Sequence, residues 1–448
     1  MATPISFSAL AVIRLSGADS LELLQRVFSR PAALAGAAGN TVVYGWIVTN
    51  GLRTERIDEV LVSVYRAPQS YTGENSADIS CHGGTSAVRA VLAELYAAGF
   101  HEALPGEFTF RAFINGKLDL SRAESVMELV AAKTGRGRAH AVKRLSGMLE
   151  SKIRAINALL LDAVARVELH LDYSELDGID SDGGVFPAYT KIQDAMCQLD
   201  ALAEHYISER LYREGLRIVL AGPPNAGKSS LFNMLIREER SIVTDIPGTT
   251  RDWLEAWIVL DGMPLCLVDT AGLRDGGNDM IEKIGIERSR NLLAGADIVL
   301  FIVDGNTFTG KELNEAAGLE VQRVLYVWNK ADCAPAPVAE TAFLPVSAVT
   351  GQGMRALTAA VTGRIQELYQ PAAETAESTG VGNERQKELV DTARAALRTV
   401  LALADAGEPL DLIAGELRAA VNALGEITGE VSTADILDAI FSTFCVGK

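Results

Sequence analysis

A glycine-rich segment in the middle of the chain has the residue types that bind the phosphates of a nucleotide. Residues 222–229 are Gly-Pro-Pro-Asn-Ala-Gly-Lys-Ser, which fits the form G-x-x-x-x-G-K-[ST]. Glycines let the backbone curl so that its N–H groups point inward at phosphate oxygens, and a following helix adds a favourable dipole. In this form we expect Lys228 to reach the β- and γ-phosphates and the Ser229 hydroxyl to ligate Mg²⁺. The segment therefore predicts a phosphate-binding loop.

Two motifs after this loop have side chains suited to Mg²⁺ and to the terminal phosphate. Thr249 and Thr250 lie where a switch loop would supply a hydroxyl to Mg²⁺. The run Asp269-Thr270-Ala271-Gly272 has the form D-x-x-G. In this form the aspartate acts on Mg²⁺ through water, and the glycine N–H senses the γ-phosphate.

The choice of base depends on a later motif, Asn329-Lys330-Ala331-Asp332, which has the form N-K-x-D. The Asp332 carboxylate can accept hydrogen bonds from N1–H and N2–H₂ of guanine, which adenine does not offer. Ser347-Ala348 matches the segment that braces the base in such sites. Because all these motifs occur in the order and at the spacing of a G domain, we predict that the chain binds and hydrolyses GTP.

The residue that orients the attacking water is less evident. Leu273 follows the D-x-x-G motif, and its side chain cannot orient water, which leaves the downstream carboxylates Asp275, Asp279 and Glu282 as candidates. Within the phosphate loop, Asn225 has a side-chain carbonyl that can ligate a monovalent cation and so neutralise developing charge. The alternative for Asn225 is a turn residue without such a role.

The motifs require a sheet whose strands all end at one edge. Apolar runs at 216–220, 264–268, 297–303 and 324–328 each precede a motif or an acidic residue, and helical patterns separate them. Nearly continuous apolar strands separated by helices indicate a sheet covered on both faces. Ligands of such sheets bind at the carboxyl ends of the strands. We therefore predict an α/β G domain over residues 214–372.

The rest of the chain predicts two further architectures. Residues 1–118 have strand-like runs and a helical pattern, which indicate an α+β domain; these lie at 10–15, 41–48, 60–65 and 86–98, with Asn50-Gly51 as a hairpin turn. Residues 119–213 and 373–448 are helical, and we expect them to pack together as an all-α domain with the G domain inserted between them. Ser121-Arg122-Ala123-Glu124 has the spacing of a capping box.

Composition limits the class of protein. Of the 448 residues, 48% are hydrophobic and 22% are charged, and no apolar run reaches the roughly 18 residues that span a membrane. The five cysteines are scattered, which favours a reducing cytoplasm over a disulfide framework. The net charge of −17 argues against a protein that coats nucleic acid non-specifically.

One local stretch is basic despite that net charge. Residues 133–144 contain no acid and five cations: Lys133, Arg136, Arg138, Lys143 and Arg144. A solvated helix face is one interpretation, and a contact with RNA is the other.

At the level of motifs, the whole chain resembles the bacterial family of tRNA-modification GTPases called MnmE or TrmE. Beyond the G motifs, the resemblance rests on Ile13–Gly17, Ser70–Glu74, Pro105–Phe113, Asn115–Leu120, Ala123-Glu124 and the tail Phe444–Lys448. It implies a folate-binding N-terminal domain that dimerises, a helical domain made from two chain segments, and an inserted P-loop G domain.

The resemblance also implies a function. Together with the flavoprotein MnmG, which carries FAD, in a heterotetramer or similar complex, such proteins add a carboxymethylaminomethyl-type group to C5 of the wobble uridine (position 34) of certain tRNAs. The one-carbon donor is 5-formyl-tetrahydrofolate or a related folate. The implied folate contacts are Arg14, Glu74, Lys117 and Lys448. Cys445 falls where the family has a cysteine linked to tRNA modification; the alternative is a buried anchor of the tail.

For the G domain, the resemblance implies hydrolysis stimulated by K⁺, with two G domains meeting face to face. The K⁺ ligands would be Asn225, Thr244, Ile246 and Thr249, and those of Mg²⁺ Ser229 and Thr250. Catalytic roles fall to Lys228, Thr250 and Glu282, the last orienting the water. The predicted GTP-binding residues are Asn225, Ala226, Gly227, Lys228, Ser229, Ser230, Thr244, Asp245, Ile246, Pro247, Gly248, Thr249, Thr250, Asp269, Thr270, Ala271, Gly272, Asn329, Lys330, Ala331, Asp332, Ser347, Ala348 and Val349.

A different class of function has the same G motifs. A GTP-switched ribosome-assembly or RNA-binding factor would also carry the phosphate loop, D-x-x-G and N-K-x-D. Such a factor has no reason to carry residues 1–120 and the Cys445–Lys448 tail, which favours the tRNA-modification enzyme.

Overall fold

The computed structural model shows a chain that forms two compact units. One unit comprises Met1–Met127, Leu145–Ala188 and Ala396–Lys448, and the other comprises Glu128–Arg144 and Tyr189–Ala395. The structure describes residues 1–49, 55–173, 188–238, 254–270, 292–313, 320–336, 343–369, 380–444 and 447. Within these ranges, no helix has the length and apolar content needed to cross a membrane.

The first unit contains an antiparallel sheet in the order β1-β4-β3-β2. The strands are β1 (Leu10–Ser16), β2 (Thr41–Val48), β3 (Arg56–Tyr65) and β4 (Ser76–His82). Alternate residues of each strand point into a core with α1 (Ser20–Arg26), α2 (Pro31–Ala35) and α3 (Thr85–Ala98). The predicted strands and helix of this region are confirmed, while the Asn50-Gly51 turn lies outside the described residues.

The sheet has an element that the sequence analysis missed. Strand β4, Ser-Ala-Asp-Ile-Ser-Cys-His, has few of the branched and aromatic residues that signal a strand. It pairs with both β1 and β3, so it lies in the middle of the sheet.

Helices complete the first unit. They include α4 (Glu107–Ile114), α7 (Met148–Tyr173), α12 (Leu410–Thr428) and α13 (Ala434–Ser442), and α5 (Leu120–Ala131) begins there. Helices α7 and α12 pack against each other, so segments from either side of the G motifs meet in one unit. Phe441 of α13 packs edge-on against Phe110 of α4, with ring centroids 5.3 Å apart.

The cap of α5 differs from the predicted capping box. The Asp119 carboxylate accepts hydrogen bonds from the backbone N–H groups of Ser121 and Arg122, at 2.9 and 3.2 Å. Ser121 is already within the helix, which begins at Leu120. The box assigned to Ser121 was therefore wrong, because an aspartate two residues earlier satisfies the first free N–H groups.

The second unit is built on a mixed sheet in the order β10-β9-β8-β5-β7-β6. The strands are β5 (Leu216–Ala221), β6 (Leu254–Leu260), β7 (Met263–Asp269), β8 (Ile298–Asp304), β9 (Val324–Asn329) and β10 (Phe343–Pro345). All pairs are parallel except β6 with β7. The four predicted strands are confirmed; β6 and β10 were missed, although the Asp261-Gly262 dipeptide beside β6 is a strong hairpin signal.

Helices of the second unit are α6 (Gly135–Leu145), α8 (Tyr189–Glu214), α9 (Lys228–Glu238), α10 (Met354–Tyr369) and the first half of α11 (Glu384–Ala406). Strands β7 and β8 are buried along their whole length, as expected for a sheet between two layers. The predicted fold class, a multidomain α/β and α+β chain with an N-terminal α+β domain, an all-α helical domain and an inserted P-loop α/β domain, is confirmed. The four domain ranges remain predictions.

Candidate functional site

The predicted phosphate loop connects β5 to α9, the position such a loop requires. Asn225 and Gly227 have left-handed backbones, with φ of 61° and 90°. The Lys228 ammonium donates to the carbonyl oxygens of Gly222 and Pro223, at 2.9 and 2.8 Å. Lys228 is thus held over the loop at the N-terminus of α9, where the helix dipole favours an anion.

Two oxygen-bearing side chains meet at the start of α9. The Ser229 hydroxyl donates to Oδ2 of Asp269 at 2.6 Å, and Asp269 is fully buried at the end of β7. Hydroxyl and carboxylate oxygens are the donors that Mg²⁺ prefers, and it commonly keeps several waters. These residues therefore fit the predicted metal. Thr270 donates to the carbonyl of Leu220 at 2.8 Å and ties β7 to β5.

The side chain of Asn329 links the phosphate loop to the base-bracing segment. Its Nδ2 donates to the carbonyl of Ala226 at 2.8 Å, and its Oδ1 accepts from the N–H of Ala348 at 3.2 Å. Asn329 is only 2% exposed. Residue 227 must be glycine because a Cβ there would overlap the Asn329 amide. One buried amide therefore holds three segments that are far apart in sequence.

The predicted base-reading carboxylate lies beside Ser347. A hydrogen bond from the Ser347 side chain, followed by one from Cys333, lowers the pKa of Asp332 below its ordinary value. Asp332 is therefore ionised at neutral pH and can accept two N–H groups. Ser347 is fully buried, and its hydroxyl also accepts from the N–H of Thr350 at 3.1 Å.

Lys330, the second residue of the N-K-x-D motif, is fixed by a carboxylate from the neighbouring strand. Its ammonium donates to Oδ2 of Asp304 at 2.6 Å. Its backbone is left-handed, with φ of 62°. The last residue of β8 is thus paired with the residue that follows β9, at the edge where the other motifs lie.

The structure places most, but not all, of the predicted GTP-binding residues. The phosphate loop, Asp269, Thr270, the N-K-x-D run and Ser347–Val349 lie in the second unit at the carboxyl ends of its strands. Residues 244–250, Ala271, Gly272 and Glu282 lie outside the described residues. Their roles remain predictions.

A second candidate site lies on the sheet of the first unit. Arg14 of β1 forms a paired hydrogen bond with Asp78 of β4, at 3.0 and 3.2 Å. These two residues line a cavity of about 210 Å³ with Tyr65, Tyr71, Thr72, Ser76 and Phe108. The cavity thus combines charged groups with aromatic rings.

Glu74 is connected to this cavity through hydroxyl groups. It accepts from the Ser16 hydroxyl at 2.9 Å, and Ser16 lies 2.6 Å from the hydroxyl of Thr72. Arg111 donates to both oxygens of Glu74, at 3.2 and 3.0 Å. Asp78 and Arg111 were missed by the sequence analysis, although Arg111 lies within the quoted Pro105–Phe113 motif.

The remaining predicted folate contacts are not all described. The Lys117 ammonium donates to the carbonyl of Pro68 at 3.0 Å on the exposed surface. Lys448 and Cys445 lie outside the described residues. The structure therefore places Arg14 at the cavity and the Glu74 carboxylate two hydrogen bonds away from it, through Ser16 and Thr72.

Comparisons with known proteins cover the whole chain. A family model described as the GTP-binding protein TrmE N-terminus matches residues 1–117, and one described as the MnmE helical domain matches residues 120–445. Proteins named tRNA modification GTPase MnmE are 41% identical in Symbiobacterium thermophilum, 39% in Treponema denticola and 38% in Listeria innocua. Each alignment covers 100% of this chain, and 98%, 97% and 98% of the respective relative.

We predict that Asn329→Ala weakens nucleotide binding because its side chain holds two segments that carry predicted nucleotide contacts. Removing the amide leaves the buried carbonyl of Ala226 and the half-buried N–H of Ala348 without this partner, at a cost of about 1–3 kcal/mol. If that cost falls on the bound state, affinity for a fluorescent GDP decreases roughly 5- to 150-fold. Asn306→Ala, at an exposed position in the same unit, is the control. An unchanged affinity in Asn329→Ala would refute the linking role.

Proposed function

The chain belongs to the MnmE family of tRNA modification GTPases and is a GTP hydrolase; on that premise we propose that it uses GTP hydrolysis to drive modification of the wobble uridine of certain tRNAs. The product would be a carboxymethylaminomethyl-type group at C5 of uridine 34. The observation that carries the GTPase half of the proposal is that the phosphate loop bonds both to the D-x-x-G aspartate, through Ser229, and to the N-K-x-D asparagine, through Ala226.

The predicted site residues have separate roles in the proposed hydrolysis. Lys228 exchanges its bonds to the loop carbonyls for bonds to the β- and γ-phosphates. Ser229 and Thr250 would supply hydroxyl ligands to Mg²⁺, which would neutralise charge on the phosphates, and Asp269 would act on it through water. Asp332 selects guanine with its two carboxylate oxygens.

We further propose that K⁺ stimulates the reaction. Asn225 has a left-handed backbone, which is uncommon for a residue other than glycine. Its side-chain carbonyl is a suitable ligand for a monovalent cation. Thr244, Ile246 and Thr249 would complete the ligand set. Glu282 would orient the attacking water, since Leu273 cannot.

The cavity at Arg14 is proposed to bind a tetrahydrofolate one-carbon donor. A folate has a flat ring with hydrogen-bond donors and a negatively charged glutamate tail. The cavity offers the Tyr65, Tyr71 and Phe108 rings together with the Arg14 cation, and Glu74 lies nearby. Lys117 and Lys448 complete the proposed contact set.

We propose that the protein acts as a homodimer with a flavoprotein partner, MnmG, which would hold FAD. One face of the first unit's sheet supports dimerisation because it leaves large apolar side chains in water. Val42, Tyr44 and Leu61 are 61%, 48% and 48% exposed, and Tyr44 pairs with Leu61 across β2 and β3. Exposed apolar clusters of this kind mark interaction surfaces. Cys445 is proposed to serve the tRNA reaction, in the cytoplasm.

GTP turnover is predicted to be faster in K⁺ than in Na⁺ by on the order of tenfold or more, as expected for a preorganised cation at the developing charge. Asn225→Gly keeps the left-handed backbone accessible and removes only the carbonyl ligand. We therefore expect this variant to bind GTP and lose the K⁺ stimulation. The K⁺ stimulation is measured as the ratio of initial rates of GTP hydrolysis in matched K⁺ and Na⁺ buffers. Equal wild-type rates in both buffers would contradict the cation site.

Mass analysis of tRNA nucleosides from a deletion strain tests the proposed function as a whole. We expect the carboxymethylaminomethyl-type wobble nucleoside to be lost, to return with the wild-type gene, and to stay absent with Lys228→Ala. Normal modification in the deletion strain would contradict the proposal. An altered ribosomal-subunit profile in the same strain would then favour the assembly-factor hypothesis.

A further inference from the structure

The basic stretch at 133–144 contacts other elements of the second unit. The Lys133 ammonium lies 3.0 Å from the centroid of the Trp257 ring. Arg136 donates to the hydroxyl of Tyr212 at 2.6 Å. Arg144 is 2% exposed and forms ion pairs with Glu128 and Glu209. At least three of the five cations are therefore engaged with other parts of the same unit.

The partner of this stretch is the hairpin of β6 and β7, here called the ribbon (Leu254–Asp269). Its turn is Asp261-Gly262, with left-handed φ of 51° and 82° at the two positions. One end of the ribbon is Asp269, which binds the Ser229 hydroxyl. The other end, Leu254, comes four residues after Thr250, the last of the predicted switch residues 244–250. The ribbon therefore contacts the proposed nucleotide site at Asp269 and is connected in sequence to the predicted switch residues at Leu254.

The middle of the ribbon is seated on helices α6 and α8. Lys133 covers the Trp257 face, and the Arg136 side chain lies beside the turn at Gly262. The turn from α8 into β5 also approaches the ribbon closely: a Cβ at Gly215, whose φ is 77°, would lie 2.9 Å from the Trp257 ring. These contacts thus hold the middle of the ribbon at a place away from the proposed nucleotide site.

Tyr212, which contacts Arg136, also belongs to a buried polar cluster. The ring of Tyr212 stacks on His140, with centroids 5.6 Å apart and planes at 12°. His140 lies 3.0 Å from Glu209, which also accepts from the N–H of Gly380 at 3.3 Å. A buried hydrogen-bonded network of charges specifies one arrangement, because an alternative arrangement would strand a charge. If the ribbon displaces α6, we therefore expect α8 to move with it.

We propose that Lys133 and Arg136 are positioning residues that clamp the ribbon to α6 and α8 and thereby transmit the nucleotide state at Asp269 to these helices. The inference rests on GTP binding at the proposed site, but not on tRNA as the substrate. In this account the nucleotide changes the environment of Asp269 and of the residues before Leu254. When the ends of the ribbon move, the whole ribbon moves. Because Lys133 and Arg136 hold its middle, α6 and α8 move with it.

We expect the contact between Lys133 and Trp257 to depend on the positive charge of Lys133. A cation over an indole face is attracted by the ring quadrupole, and arginine replaces lysine well in that role. Lys133→Met keeps the length and removes the charge, and Lys133→Arg restores it. Arg136→Met removes the second contact. Arg138→Met is the matched control, because Arg138 is an exposed cation on α6, the helix that carries Arg136.

Hydrogen–deuterium exchange on the full-length protein tests the clamp. Exchange of peptides covering α6 and α8 is compared with GDP and with GDP–aluminium fluoride. We expect wild type, Lys133→Arg and Arg138→Met to show the same difference between the two nucleotides. In Lys133→Met and Arg136→Met the difference should shrink by at least about fivefold, the lower end of common coupling strengths. A double-mutant cycle with Trp257→Leu should show that Lys133 and Trp257 act non-additively.

GDP affinity is measured on the same samples and is expected to stay within twofold of wild type. The proposal is overturned if wild-type α6 and α8 exchange equally in both nucleotides, or if Lys133→Met keeps the full difference. It is also overturned if Arg138→Met is as defective as Lys133→Met. Failure to bind GDP in wild type would instead refute the nucleotide site itself.

Discussion

The proposed nucleotide site depends on the hydrogen bonds of the Asn329 carboxamide. This carboxamide lies at the end of β9 and joins a carbonyl of the phosphate loop to an N–H of the base-bracing segment. A parallel sheet brings the carboxyl ends of its strands to one edge, but it does not set the distance between the loops that follow them. A buried amide with both ends bonded sets that distance, because either unpaired end would cost free energy.

The two candidate sites use charge in different ways. In the nucleotide site, Lys228 and Ser229 bond to groups that a bound phosphate and metal can replace. On the N-terminal sheet, Arg14 and Asp78 already neutralise each other across β1 and β4. A ligand at this cavity therefore competes with an existing ion pair, which favours one that carries both a hydrogen-bonding ring and a negative tail. The folate proposal meets that requirement.

The sequence predicted the G-domain strands and the motif positions well, because the motifs are contiguous and their strands are apolar throughout. It failed where contacts join residues distant in the chain. Asp78 is 64 residues from Arg14, so no local pattern marks them as partners. β4 is central despite its polar composition, and Asp119 rather than Ser121 caps α5. The basic stretch had two interpretations, and neither included Trp257, which lies on a strand that had not been recognised.

Nucleotide choice is the property that tests the central claim most directly, since it depends on the site that Asn329 organises. Asp332→Asn replaces an acceptor pair by an amide whose N–H₂ can donate to the C2 carbonyl of xanthine. The decisive measurement is the hydrolysis rate of GTP and of XTP by the wild type and by this variant. The account predicts that the wild type prefers GTP and that Asp332→Asn prefers XTP. A variant that still prefers GTP would contradict it, because the base would then be read elsewhere.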